Sequence, residues 1–365
     1  MVSNRVLCLF AAGGFALAAY SENAPRMAPI PGDPLELVTG QIQVMDSSAN
    51  REAMVQLLAR ARNSYAFQSA GRGYDLKVAF TVSSGGQTEY DGEWEMEDSF
   101  DPQQGLRWTA KAAAGYATTQ ISSKQTYYRE GTANLIPLRL HEARAALFNP
   151  IPLGNFDHDL IRTSTAKFNG VQVTCVLISS SGNAATSTAG RRWEETEECI
   201  DPQSGLLQVH SQVPGRYYAY EYSNALNVGG HVLPRKVIVS EAGRTVSEIN
   251  VKSLTELPAM DPSLFIPTPE MKAGGPAIAM AGAQKISHFV GQGPFPADAT
   301  VQPVCVFGLV TPGGQLVEAH SLQPSDPNSQ AAVEDAKRMN FSSPTVGARP
   351  QQHFVFVIEK FVSAR

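Results

Sequence analysis

Residues 74–96 read YDLKVAFTVSSGGQTEYDGEWEM. Apolar and polar side chains alternate from Tyr74, turn-forming residues occupy positions 83–87, and the alternation resumes at Tyr90. A period of two indicates β-strands, and two such runs around a turn predict a hairpin with one apolar and one solvated face. Similar strand-like runs recur through the larger part of the chain.

Strand-like runs recur further along the chain, and helical spacing is rare among them. Residues 50–65 carry apolar side chains at helical intervals, and residues 138–148 (LRLHEARAALF) form a second helical segment. Parallel pairing requires helical crossovers, and these are missing. We therefore predict an α+β fold whose larger part, residues 22–268, is a curved antiparallel β half-barrel with few helices. The additional strand-like runs are residues 106–112, 116–128, 171–178, 206–210, 217–222, 236–240 and 245–254.

The amino-acid composition changes after residue 268. Residues 269–290 are rich in Pro, Gly and Ala and predict a linker. In residues 291–365 the pattern predicts a strand, a Thr-Pro-Gly-Gly turn, a second strand, a helix and a closing apolar strand. Asp326 is expected to cap that helix, which runs to Met339. Residues 291–365 thus predict a small ββαβ C-terminal domain.

The N-terminus has the layout of a cleavable secretory signal. Arg5 precedes an apolar run at residues 6–20, and the first acidic residue is Glu22. A membrane-spanning helix needs about 20 apolar residues, so this shorter run favours a signal over residues 1–21. We expect an exported protein of the periplasm or bacterial cell envelope, associated with membranes peripherally at most. A retained, uncleaved segment is the alternative.

Composition excludes several classes of function. The chain has 29 basic and 34 acidic residues, a formal net charge of −5, and no basic tract, which argues against nucleic acid as a partner. The seven histidines do not form HxH or HExxH patterns, and no nucleophile elbow or phosphate-binding loop occurs. We therefore expect no metal, no cofactor, no catalytic residues and no enzymatic activity. The acidic run at residues 194–201 is interpreted as a solvated strand edge.

The cysteines indicate one disulfide. Cys8 lies in the predicted signal, so Cys175, Cys199 and Cys305 remain. Cys175 and Cys199 flank a Gly/Ser/Thr-rich loop, which suits neighbouring antiparallel strands, and they are predicted to pair in an oxidising compartment. Two buried thiols are the alternative. Cys305 lies on an apolar strand and is expected to be buried and inert.

Aromatic residues suggest a ligand-binding face on the curved sheet. A concave apolar face with helices as its lid would enclose a pocket for an acyl chain, and the alternative is an ordinary core. The predicted ligand-binding residues are Phe80, Trp94, Met96, Trp108, Tyr218 and Tyr220.

Two stretches of the larger part resemble the LolA/LolB-like superfamily of periplasmic lipoprotein carriers. They are the segment CIDP at residues 199–202 running into GLL at residues 205–207, and GHVLPRKV at residues 230–237. The resemblance covers about residues 35–267. It implies non-covalent binding of an apolar or acylated ligand in the concave face, without chemistry.

Residues 291–365 resemble the C-terminal domain of TonB-type energy transducers. The resemblance rests on the turn GGQLV at residues 313–317, the helix QAAVEDA at residues 330–336 leading to MNF at residues 339–341, and the closing strand. It implies contact with an envelope protein through an edge strand.

The sequence departs from a transducer in its short N-terminal apolar run and short linker, which favour a detached interaction module. Two alternatives to an exported, ligand-binding protein remain. One is a structural or envelope-interaction protein with a filled core, and the other is an anchored transducer component if the N-terminus is not cleaved.

Overall fold

One open antiparallel sheet of 13 strands makes up the larger part of the computed structural model. The structure describes residues 26–27, 42–45, 47–66, 71–84, 90–123, 126–148, 150–151, 156–179, 191–277, 283–290 and 300–363, so the predicted signal lies outside the described residues.

The strands, in chain order, are β1 (Arg26–Met27), β2 (Gln43–Val44), β3 (Gly73–Val82), β4 (Gly92–Asp101), β5 (Gly105–Ala112), β6 (Ala117–Ser123), β7 (Thr126–Gly131), β8 (Leu160–Phe168), β9 (Val171–Ser179), β10 (Thr196–Ile200), β11 (Leu207–Val213), β12 (Arg216–Glu221), β13 (Leu226–Val228), β14 (His231–Leu233), β15 (Lys236–Glu241), β16 (Arg244–Leu257), β17 (Gln284–Val290), β18 (Thr300–Val310), β19 (Leu316–Ser321), β20 (Thr345–Val346), β21 (Arg349–Pro350) and β22 (His353–Ser363).

The order of the large sheet is β2-β8-β9-β10-β11-β12-β15-β16-β3-β4-β5-β6-β7, and it ends at β2 and β7 without closing. The predicted hairpin is confirmed: β3 and β4 are antiparallel neighbours, with Phe80 opposite Trp94 and Val78 opposite Met96. The prediction of an α+β fold with a curved antiparallel half-barrel is likewise confirmed.

The described part of the chain contains four α-helices: α1 (Ser48–Ser64), α2 (Leu138–Phe148), α3 (Pro269–Gly274) and α4 (Ser329–Arg338). Helix α1 begins after Ser47, whose hydroxyl accepts a hydrogen bond from the Asn50 amide at 3.2 Å. Both predicted helices of the half-barrel are confirmed, within two residues at each end. None of the helices in the described ranges is long and apolar enough to cross a membrane.

Helices α1 and α2 cover one face of the large sheet, here called the inner face. Apolar side chains of α1 (Leu57, Leu58) and α2 (Leu140, Leu147) belong to the same buried cluster as alternate residues of the strands. This single cluster is the main core of the molecule. Its strand residues include Val78, Phe80, Trp94, Met96, Trp108, Tyr218, Tyr220, Val237, Val239, Ile249 and Val251.

The C-terminal unit is a five-stranded sheet in the order β1-β18-β22-β17, with β19 also paired to β18. The hairpin β18–β19, helix α4 and strand β22 form the expected ββαβ arrangement. Asp326 behaves differently from the expectation. Its carboxylate accepts from the Asn328 amide at 2.8 Å, and the helix starts only at Ser329.

Residues 269–290, expected to be a linker, contain α3 and β17. Thr268 caps α3 by accepting a hydrogen bond from the Met271 amide at 3.1 Å. Strand β17 runs parallel to β22, and its Ile286 packs against the apolar cluster beneath α4. The sequence does not predict this strand, because the strand is only weakly apolar and follows a Gly- and Ala-rich segment.

The C-terminal sheet is apolar on both faces because each face has a partner. Val304, Val306 and Val357 pack against Ala332 and Ala336 of α4. The alternate residues form a second cluster, whose members from the half-barrel are Leu138, Trp193 and Val213 and whose members from the C-terminal unit are Cys305, Phe307, Leu309, Leu322, Phe354, Phe356 and Ile358. The C-terminal unit is therefore docked on the half-barrel through an apolar interface.

Candidate functional site

The six residues predicted to bind a ligand lie together on the inner face. Each is at most 3% exposed, and all belong to the main core cluster. The rings of Phe80 and Trp94 are stacked with centroids 5.3 Å apart, and Tyr116 adds a tilted contact to Trp94 at 5.5 Å. The structure thus gathers these residues into one continuous aromatic surface, which α1 and α2 cover. Their binding of a ligand stays a prediction.

Tyrosine hydroxyls connect the helices to this surface. Tyr220 donates a hydrogen bond to the Ala146 carbonyl of α2 at 3.3 Å. The hydroxyl groups of Tyr65 and Tyr222 contact each other at the end of α1, and Tyr222 donates to the Leu207 carbonyl at 2.7 Å. Burial raises the pKa of Tyr220 well above its ordinary value, so the phenol stays neutral and remains a donor.

Helix α2 is held over the aromatic surface by a buried ion pair. Arg144 donates to Asp98 of β4 at 2.9 Å, and Tyr74 donates to the other oxygen of Asp98 at 3.0 Å. The Arg144 guanidinium lies 4.1 Å from the Trp108 ring centroid and 4.7 Å from that of Phe148. Burial raises the pKa of Asp98, although Arg144 and Tyr74 oppose the shift. We call Arg144 and Asp98 the latch.

A second group of buried charges lies at the other end of α2. Arg139 makes two hydrogen bonds to Glu241, at 2.7 and 3.1 Å, and one to Glu142 at 2.9 Å. Arg216 donates to Glu241 at 3.0 Å and also contacts Glu142, which accepts from Tyr218 at 3.1 Å. Two guanidinium groups thus balance two carboxylates. We call Arg139, Glu142, Arg216 and Glu241 the ion cluster.

The electrostatics of the ion cluster favour the charged forms. Burial alone would raise the pKa of the Glu241 carboxyl, but Arg139 and Arg216 outweigh this effect and hold the pKa well below its ordinary value. The C-terminal unit completes the enclosure, because the Arg216 guanidinium lies 4.0 Å from the Phe307 ring centroid and 5.5 Å from that of Phe356.

An open cleft of about 470 Å³ lies between the half-barrel edge, α3 and the C-terminal unit. It reaches Gln120 of β6, which lies directly opposite Trp108 in the sheet. Gln120 is fully buried, and its amide nitrogen and oxygen have no hydrogen-bond partner in the described part of the chain. The cleft therefore leads from solvent to a polar group beside the aromatic surface. Its lining includes Arg129, His141, Glu270 and Arg349.

The acidic run after residue 193 is not the solvated strand edge that its composition indicates. Strand β10 lies between β9 and β11 inside the sheet, and Glu195, Glu197 and Glu198 are fully buried. Each buried carboxylate needs a polar partner because an unpaired buried charge is costly. Glu195 pairs with Arg162 at 2.6 Å and Glu197 with Arg191 at 3.0 Å, and a ring nitrogen of His210 lies 2.9 Å from Glu198.

The predicted disulfide between Cys175 and Cys199 is confirmed. The two residues are directly opposite in the β9–β10 pair, where they lie in a small apolar cluster that also contains Val209 and Tyr217. The disulfide indicates an oxidising compartment and thus an exported protein. Cys305 is free and buried, and burial raises the pKa of its thiol.

Reasoning from the sequence identifies the aromatic surface but misses the latch, the ion cluster and the cleft. One signal was present: in LRLHEARAALF the apolar side chains are not confined to one helical face, and the charged residues Arg139, Glu142 and Arg144 lie among them. A helix with this pattern has to be covered on more than one side. The strand partners Asp98, Arg216 and Glu241 gave no comparable signal, since each lies in a separate strand.

No family model and no curated protein sequence matches the chain. Among solved structures, it is similar to a LolA superfamily protein from Nitrosomonas europaea, with 12% identity and a TM-score of 0.35 over 58% of this chain and 97% of that one. A DUF1329 family protein from Desulfovibrio piger has 9% identity and a TM-score of 0.38 over 59% and 96%. The MucA/MucB complex of Pseudomonas aeruginosa has 10% identity and a TM-score of 0.27 over 72% and 82%. These TM-scores are too low to support a conclusion about function, which has to be inferred from the side chains of this chain.

Proposed function

We propose that this chain is an exported, non-enzymatic protein of the bacterial cell envelope that binds an apolar or acylated ligand in its half-barrel. The ligand's apolar chain lies on the inner face at Phe80, Trp94, Met96 and Trp108, with Tyr218 and Tyr220 continuing the surface. Helix α2 is the lid that the ligand displaces.

The observation that carries this proposal is the way α2 is attached. Its four polar side chains, Arg139, His141, Glu142 and Arg144, are each at most 7% exposed, and three of them form ion pairs across the inner face. Buried ion pairs add little net stability compared with apolar packing, because desolvation offsets most of their attraction. When a lid that is held by ion pairs opens, water can solvate the separated charges. The bound acyl chain then replaces the apolar contacts that the lid made with the inner face.

The cleft at Gln120 supports a ligand with a polar end. Gln120, which lies opposite Trp108 in the sheet, brings to the cleft an amide without a hydrogen-bond partner in the described residues, and Arg129 and Arg349 also line the cleft. An acylated molecule would place its chain on the aromatic surface and its polar group in the cleft.

The direct test is to purify the full chain without detergent, extract it with organic solvent and identify bound lipids by mass spectrometry. A reproducible acylated species near one equivalent is expected. Gln120→Trp should fill the inner end of the cleft and reduce the bound amount, whereas Thr119→Trp, on the opposite face of the same strand, should not. Circular dichroism checks that both variants fold.

A second candidate is favoured by the burial of the six predicted ligand-binding residues in the main core cluster. If no lipid is recovered in repeated preparations, the half-barrel is a scaffold, and the chain is an envelope-interaction protein. Its contact surface would be the edge strand β17, where Phe289 is 44% exposed, in keeping with the TonB-C-like interpretation of the C-terminal unit. Phe289→Asp should then abolish partner capture by the full chain, while Val317→Asp, at an equally exposed position of β19, should not.

A further inference from the structure

Three side chains that can ligate a metal converge in the C-terminal unit, away from the inner face. His288 lies on β17, Asp335 on α4 and Glu359 on β22, and one ligand atom of each lies within 4.8 Å of the others. His288 and Glu359 are direct neighbours in the parallel β17–β22 pair. The His288 Nε2 atom lies 3.7 Å from an Asp335 carboxylate oxygen.

The Glu359 side chain gives independent reason to expect a cation at this point. The residue is 0% exposed, and neither carboxylate oxygen has a hydrogen-bond partner in the ranges that the structure describes. A buried carboxylate without partners is costly. Elsewhere in this molecule, buried acids such as Glu195 and Glu241 have arginine partners.

We propose that His288, Asp335 and Glu359 bind one Zn²⁺ ion. One imidazole nitrogen and two carboxylate oxygens are ligands that Zn²⁺ accepts, whereas Mg²⁺ and Ca²⁺ prefer oxygen ligands alone. The side chains of His288 and Asp335 are 31% and 42% exposed, so water can reach the fourth coordination position.

Such a site would fasten the edge of the C-terminal sheet. Within the described residues, strand β17 pairs with a neighbouring strand, β22, on one side only, and the metal would connect it to α4 as well as to Glu359. The sequence gives no warning of this site, because its ligands come from three separate elements and form none of the short spacings typical of zinc motifs.

The test uses the full chain without an affinity tag, stripped with EDTA and dialysed. Titration with ZnCl₂ by calorimetry, with metal analysis by mass spectrometry, should give one equivalent per chain. At a hundredfold excess over Kd the thermal midpoint should rise by roughly 5 °C. Co²⁺ at the same site should produce visible absorption bands.

Glu359→Gln and Asp335→Asn should lose the equivalent of Zn²⁺ and the thermal shift. Glu334→Gln, one residue away on α4 and exposed, is the matched control and should retain both. Without metal, Glu359→Gln should be at least as stable as the wild type because it removes an unpaired buried charge, so loss of binding cannot be attributed to unfolding. Absence of stoichiometric binding by the wild type, or unchanged binding by Glu359→Gln, would overturn the proposal.

Discussion

The guanidinium group of Arg216 lies 4.0 Å from the ring centroid of Phe307, and this contact joins the half-barrel to the C-terminal unit. Arg216 belongs to the ion cluster under α2, whereas Phe307 lies on the central hairpin of the C-terminal sheet. The ring shields buried charges from water, which strengthens their interactions. The C-terminal unit is thus part of the cover of the inner face, and movement of α2 has to be accommodated by this interface.

Truncation of Phe307 should therefore weaken both the core and the docking. Phe307→Ala removes the ring that covers Arg216 and stacks on Phe356 at 4.7 Å, and a loss of about 3–5 kcal/mol in the free energy of unfolding is expected. Urea denaturation measures this loss. Limited proteolysis should also release the C-terminal unit faster. Val317→Ala, at an exposed position, should change neither quantity, and an equal effect of the two variants would contradict the assigned role of Phe307.

Acid should destabilise the interface between the half-barrel and the C-terminal unit through His141. The ring of His141 packs 3.9 Å from that of Phe354, and burial, followed by repulsion from Arg144, lowers its pKa from 6.5 to about 3. Between these two values the unfolded chain binds a proton that the folded chain does not, so stability falls as pH is lowered below 6.5. At pH 5 the loss from this group is about 2 kcal/mol.

His141→Leu removes this contribution and should flatten the decline of stability between pH 7 and pH 5, as measured by urea denaturation at each pH. His158→Gln changes an exposed histidine and should leave the decline as it is in the wild type. If the wild type and His141→Leu lose stability in parallel, the acid sensitivity arises elsewhere.

The disulfide should contribute through the unfolded state. Cys175 and Cys199 are 24 positions apart in sequence, and cross-linking a loop of this length stabilises the folded state by about 3 kcal/mol in the chain-entropy model. The double variant Cys175→Ala with Cys199→Ala should lose about this amount in guanidinium denaturation. Reductant should lower the stability of the wild type and leave the double variant unaffected, and sensitivity of the double variant would point to a different cause.

Sequence patterns predicted the elements whose neighbours are local in the chain. The β3–β4 hairpin and the helices α1 and α2 follow from apolar periodicity, and the Cys175–Cys199 pair follows from two cysteines flanking a turn-rich loop. Periodicity also placed Trp94 and Trp108 on a common face, although it could not tell a filled core from an open pocket, because that depends on where α2 packs.

The sequence did not predict the ion pairs between residues that are far apart in the chain. The acidic run indicated solvent exposure because the alternation within one strand does not show which bases pair with Glu195 and Glu197. In the structure Arg162, 33 positions from Glu195, supplies one of the missing charges. Strand β17 was hidden for a similar reason, since its partner β22 lies about 70 residues later in the chain.

The latch offers the sharpest test of the proposed lid. Asp98→Asn leaves the Arg144 guanidinium buried without its counter-charge and should cost about 3–5 kcal/mol of stability. Arg144→Met combined with Asp98→Asn removes both charges and retains an acceptor for the Tyr74 hydroxyl, so the pair should cost less than the single change. The double-mutant cycle, measured by urea denaturation, gives the coupling free energy.

The paired variant should also change ligand binding, because α2 then covers Trp108 without a charged attachment. Fluorescence of 1-N-phenylnaphthylamine, an apolar probe, should rise more steeply with protein concentration for the paired variant than for the wild type. Replacement of the exposed pair Lys111 and Glu95, joined at 2.7 Å on the opposite face, by Met and Gln should leave the titration unchanged. Identical titrations for all three proteins would mean that α2 is a fixed part of the core, and the scaffold function would then be preferred.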